Sequence, residues 1–157
     1  MNVIGVRVEL PSNTPIVLLK EVNGAHRVLP IFIGGPEATA IALALDEVET
    51  PRPMTHDLTA AIVDILGAEL VKVSVTDLRD RTFFAEMTFR RGDEEFVLSA
   101  RPSDAVALAV RSGCPVYAAD SVLAEAAQEL PDDEPNEEVV EEFRAFIDQV
   151  NPEDFES

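Results

Sequence analysis

Residues 105–110, Ala105-Val106-Ala107-Leu108-Ala109-Val110, offer no polar side chain on any side. A helix that is apolar all round has to be covered on most sides. The chain must therefore build other elements around this segment, which Arg101-Pro102-Ser103-Asp104 opens and which runs to about Ser112. The upstream sequence supplies them. Val3, Val6, Val8 and Leu10 alternate with Arg7 and Glu9 as in a half-buried strand. Residues 15–22 and 26–33 are β-branched, apolar runs joined through Asn23-Gly24, a pair that tolerates positive φ and so signals a hairpin. Residues 69–78, 82–90 and 95–100 read as three further antiparallel strands, linked by Arg79-Asp80-Arg81 and Arg91-Gly92-Asp93.

Helices fall between these groups. Gly34-Gly35-Pro36-Glu37 opens one that reaches about Val48, with Pro36 suited to the first turn. Thr55 is placed to cap a second from His56 to Leu66, with Leu58, Ile62, Ile65 and Leu66 on its expected buried side and Gly67 as its stop. Val116-Tyr117-Ala118 is a short strand, and Asp120 can cap a helix to about Leu130. Beyond the linker Pro131-Asp132-Asp133-Glu134-Pro135, Asn136 can cap a last helix striped with Val139, Val140, Phe143, Phe146, Ile147 and Val150. The pattern predicts an α+β domain over residues 1–130, a mostly antiparallel, hairpin-connected sheet with inserted helices, and an acidic helical extension over 131–157.

Charge sharpens the division. The 157 residues hold 12 Lys+Arg and 30 Asp+Glu, a formal charge of −18. Residues 119–157 alone carry 14 acids and one base, Arg144. Such a surface opposes long-range capture of polyanions, so any phosphate chemistry needs local arginines or a bound cation. The single cysteine, Cys114, has no partner for an internal bridge and fits a reducing compartment. With no signal segment and no apolar run of membrane-spanning length, the expectation is a cytoplasmic protein with no membrane contact.

Two helix starts share a plan. Arg52-Pro53-Met54-Thr55-His56-Asp57 and Arg101-Pro102-Ser103-Asp104 each set an arginine and a proline before a hydroxyl and a first-turn acid. Glu37 stands at a third start. First-turn acids complement the helix dipole, which explains each acid singly. Capping does not explain the arginines or His56. If the three starts share one edge, Glu37, His56, Asp57, Asp104, Arg52 and Arg101 form one polar cluster. Carboxylates there suit Mg²⁺ or Mn²⁺, an imidazole can carry a proton near neutral pH, and guanidinium forks fit phosphate. An arginine–carboxylate network that merely staples loops to helices would look the same. His26 and Asp64 read as surface residues, Cys114 as small buried filler. Gly34-Gly35 lacks a dinucleotide or P-loop fingerprint, so no nucleotide cofactor is expected.

Three segments, in this order, resemble the bifunctional nuclease domain family: Leu29-Pro30-Ile31-Phe32-Ile33-Gly34 through Glu37-Ala38, Arg52-Pro53-Met54-Thr55-His56-Asp57-Leu58, and Ala100-Arg101-Pro102-Ser103-Asp104-Ala105 through Ala109 with Pro115-Val116-Tyr117. The resemblance covers about residues 1–130, and the acidic tail looks like that of actinobacterial members. It implies a DNase and RNase, and with the opposing net charge and the carboxylates of the cluster the expectation is a weak enzyme assisted by a divalent metal (Mg or Mn). In that reading Glu37, Asp57 and Asp104 hold the metal, and they act with His56 as the catalytic set. Arg101, Arg52 and Ser103 bind substrate. Relatives often carry an acid where this chain has Ser99, which would impair a metal site that needs it. The resemblance also implies a homo-oligomer, a dimer first, acting on nucleic acid. The alternative from the residues alone is a non-enzymatic oligomeric binding or regulatory module, whose Arg/Asp/His cluster is structural or holds a small anion.

Overall fold

A computed structural model describes residues 1–129 as seven strands and four helices. The extension over 131–157 and its striped helix lie outside the described residues. In chain order the elements are β1 (Asn2–Glu9), β2 (Thr14–Lys20), β3 (Val28–Phe32), α1 (Gly35–Leu45), α2 (Thr55–Ile65), β4 (Glu69–Arg79), β5 (Thr82–Arg91), β6 (Glu94–Ala100), α3 (Pro102–Ser112), β7 (Val116–Ala118) and α4 (Asp120–Ala126). The α+β class is as expected, but the strands divide into two sheets. One is antiparallel, ordered β1-β2-β3. The other is ordered β6-β5-β4-β7, with β7 parallel to β4 and the rest antiparallel.

The hairpins follow their turn residues. Asp80 and Arg81 take positive φ and close the β4–β5 hairpin in two residues, so Arg79 faces Thr82. Gly92 does the same for β5–β6. The β2–β3 connection is longer than Asn23-Gly24 suggested: residues 21–27 form the loop, and Glu21 and Arg27 close its base through a paired ionic contact of 2.9 Å. His26 is exposed within that loop.

One core joins both sheets. Val17, Leu19, Leu29 and Ile31 from the first sheet, Val73, Val75, Ala85 and Met87 from the second, Ile41 of α1 and Val122 of α4 all pack into it. At its centre lies α3, with Ala105 through Ala109 buried, as an all-apolar helix demands. Gly113, at φ +67, ends α3 in the left-handed conformation. The N-terminal amine of Met1 donates to the Val116 carbonyl at 2.7 Å, tying β1 to the edge strand of the other sheet.

The second helix departs from expectation. Leu58, Ile62, Ile65 and Leu66 are exposed, and α2 has no fully buried residue. Its inner side is instead His56, Thr59, Ala60 and Val63. Two polar anchors set this rotation: His56 meets Asp104 and Asp57 meets Arg111, both on α3. Hydrophobic patterning lost to ion pairing here.

Candidate active site at the helix starts

The strand-to-helix turns bring the chemistry together. Gly34 and Arg101, in extended conformation, are the residues from which α1 and α3 start, and each helix has a proline in its first turn. Neither helix start uses a side-chain cap, so the first-turn acids are free to bond elsewhere. Arg101 takes both of them. Its Nε donates to Asp104 Oδ2 at 2.7 Å and its Nη2 to Asp104 Oδ1 at 3.0 Å, while Nη2 also donates to Glu37 Oε1 at 2.7 Å. Asp104 Oδ1 further meets His56 Nε2 at 3.1 Å. Glu37, Arg101, Asp104 and His56 thus form one continuous chain of contacts across α1, α3 and α2.

Exposure is uneven along that chain. The Arg101 side chain is 65% exposed, whereas those of His56 and Glu37 are 13% and 14% exposed. A charged fork therefore stands at the surface beside two sheltered groups. Its pKa is raised by Asp104 first and Glu37 second, so it is protonated at any working pH. For Asp104 the largest single influence is burial, which raises its pKa. The hydrogen bonds and charges of Arg101 and His56 together outweigh that, and the carboxyl lies below its ordinary value. Ionised Asp104 orients the imidazole: with Nε2–H turned toward the carboxylate, Nδ1 is the lone pair available to take a proton. Gly34 is part of the arrangement, since a Cβ there would lie 2.3 Å from Glu37 Oε2 and push the carboxylate from Arg101.

Not every expected residue joins. Asp57 faces away from this chain. Its Oδ2 accepts the Met54 N–H at 2.8 Å, reaching back from the first turn to the residue before the helix, so that Met54 and not Thr55 stands at the cap position, and its Oδ1 takes Arg111 Nε at 2.5 Å. Burial raises its pKa most, but Arg111 and the Met54 N–H prevail and lower it. Arg111 also donates to the Ala107 carbonyl at 2.9 Å. Sequence reading passed over Arg111, although a lone arginine in the last turn of an apolar helix was its available signal. Ser103 is buried in the first turn of α3, and Arg52 is exposed, with no side-chain partner among the described residues.

The donor set does not fit a resident divalent ion as it stands. Among the described residues, no three His, Cys, Asp or Glu side chains come together to hold one. Glu37 and Asp104, two of the three carboxylates expected to bind metal, both spend oxygens on the Arg101 guanidinium, and Asp57 is turned to Arg111. The cation of this site is an arginine.

Fold and site together define an α+β domain with an arginine-bridged acid–histidine cluster where three helices begin. The bifunctional nuclease domain model matches residues 17–131, and the chain belongs to that family. An uncharacterized protein of Mycobacterium tuberculosis is 45% identical, over the whole of this chain and 98% of its own length. Bifunctional nuclease 2 and bifunctional nuclease 1 of Arabidopsis thaliana are 31% and 29% identical. They match 68% and 65% of this chain, and about a third of each plant protein is covered, 34% and 32%. No helix among the described residues is long and apolar enough to cross a membrane.

Proposed function

We propose that the chain is a cytoplasmic nuclease, a phosphodiesterase of low intrinsic rate on DNA and/or RNA. Residues 1–130 form the working domain, residues 131–157 are an acidic extension, and the active form is a homo-oligomer. The observation that carries this is the chain of contacts from Glu37 through Arg101 and Asp104 to His56, in a domain of the bifunctional nuclease family. In this reading Arg101, the exposed member, binds the scissile phosphate and offsets the charge that builds on its oxygens in the transition state. His56, oriented by Asp104, takes the proton of the attacking hydroxyl or water and returns one to the leaving oxygen. Glu37 holds Arg101 in place until substrate competes for it. Asp57 and Arg111 fix the start of α2 and thereby the position of His56, so Asp57 is a positioning residue. Exposed Arg52 is assigned a supporting substrate contact at the rim, whereas Ser103, buried in the first turn of α3, is assigned only support of the helix start that carries Asp104. Because the carboxylates are already paired, metal assistance is read as a measurable outcome and not as a premise of the proton transfers.

The staple reading draws on one observation too: every acid of the cluster is already paired within the protein. The deciding experiment follows cleavage of labelled single- and double-stranded DNA and RNA by purified protein, with Mg²⁺, with Mn²⁺ and with chelator. The His56→Ala variant should lose about 10²–10⁴-fold in rate. Equal rates in wild type and variant would reject the enzyme and leave the staple.

A further inference from the structure

The β4–β5 hairpin carries an aromatic ring on its open face. Asp77 pairs with Phe84 in the ladder and Arg79 lies two residues further along β4, so all three share the face opposite to the buried Ala85. Phe84 is 38% exposed, and the guanidinium of Arg79 lies over its ring, 5.3 Å from the centroid. Asp77 holds that guanidinium in place, accepting from Arg79 Nε at 2.6 Å. The position of this stack gives it a use. Ala85 pairs with Ala100, so the next pair outward sets Phe84 across from Arg101, whose backbone is still extended. Directly opposed strand residues have Cβ atoms about 4.5–5.5 Å apart. The ring therefore adjoins the candidate site from the strand side, whereas Glu37 and Asp104 reach Arg101 from the helices.

We propose that Phe84 and Arg79 form a stacking site for one unpaired nucleobase, the base next to the phosphate held by Arg101, so that the protein takes single-stranded nucleic acid in preference to duplex. The assignment rests on the nuclease reading for the phosphate at Arg101 and deepens it by naming the form of the substrate. Aromatic rings and guanidinium planes are the protein surfaces on which nucleobases stack, whatever the sequence. Inside a duplex both faces of a base are covered by its neighbours, so only an unpaired or extruded base can enter. Charge agrees locally. Asp77 offsets Arg79, and Arg81, exposed in the same turn at φ +64, has no ion-pair partner among the described residues. Arg81 and Arg101 then offer positive charge on either side of the ring in a chain whose formal charge is −18. Asp80 lies in that turn as well, so the stack supplies more of the affinity than the charges do. The Arg91–Phe96 pair has the same chemistry, at 5.4 Å, but stands at the opposite end of β5 from Arg101 and is the natural control.

Fluorescence anisotropy on the full chain, in a His56→Ala background that slows cleavage, should show tighter binding of a labelled single-stranded oligonucleotide than of the duplex of the same sequence. Phe84→Leu, which keeps an apolar side chain but removes the ring, should weaken single-strand binding by roughly 5–100-fold. Phe84→Tyr should retain it, and Arg91→Gln should change nothing. An abasic strand of the same length should bind wild type and Phe84→Leu alike, because the ring and the base it stacks on are lost from one interaction. With His56 intact, the Phe84→Leu loss should fall on KM and not on kcat. Duplex bound as tightly as single strand overturns the proposal. So does Phe84→Leu at wild-type affinity, even in a protein that cleaves. An abasic strand that binds as well as the normal one overturns it on the unmutated ring, independently of how the variant folds. Phe84-dependent binding of single strands by a protein that cleaves nothing supports the stacking site and rejects the nuclease reading alone.

Discussion

Replacing Arg101 with methionine separates a catalytic fork from a structural staple, because the two roles predict opposite ratios of activity loss to stability loss. The change keeps much of the aliphatic stem and removes the guanidinium that joins Glu37 to Asp104. The side chain is 65% exposed, so water screens both pairs and each is worth at most about 0.5–1 kcal/mol. Asp104 keeps His56 as a partner at 3.1 Å, which limits the loss further. Against that stands the sheltered Glu37 carboxylate, left without its only ion-pair partner among the described residues. The net stability cost comes to about 1–2 kcal/mol, a fall in melting temperature of roughly 2–8 °C for a domain of this size. A donor aimed at charge developing in the transition state, in contrast, is worth about 10²–10³ in rate. Thermal denaturation and cleavage of a fluorescent oligonucleotide, run on one preparation, measure both. A variant that melts much lower but cleaves at the wild-type rate per folded molecule refutes the catalytic assignment of Arg101.

Three other outcomes follow from the same geometry. Arg111→Met strips the partner from Asp57 in a pair whose arginine is 10% exposed, and should cost about 2–3 kcal/mol in chemical denaturation, more than Arg101→Met despite removing fewer ionic contacts. Stability should fall in acid: Asp57 and Asp104 have depressed pKa values, and Glu21 is lowered to about 2, mainly by its hydrogen bond from Arg27. Such groups stabilise fully above their unfolded values near 4 and lose that contribution as pH drops through the folded ones, so the loss should be confined below about pH 4.5 in a series of denaturant titrations. Gly34→Ala should lower cleavage with little change in melting temperature, because its Cβ displaces the Glu37 carboxylate and meets no backbone; an unchanged rate would show that Glu37 has no part in placing Arg101.

What the sequence made legible, and what it hid, divides along one physical line. Elements whose placement depends on apolar burial were readable: α3 had to be central because nothing polar lies between Ala105 and Val110, and the β4–β5–β6 meander followed from its two short turns. The convergence of Glu37, His56, Arg101 and Asp104 was readable too, because three helix starts carried more charge than capping needs. Long-range ionic choices were not. Asp57 sits beside His56 in sequence, yet it serves Arg111 at 54 residues' separation while His56 serves Asp104 at 48. Those two contacts turn α2 so that Thr59, Ala60 and Val63 face inward and Leu58, Ile62 and Ile65 face out. Burying that stripe would have gained about 1.5–3 kcal/mol per side chain. A helix period cannot say that a fold will forgo such a gain.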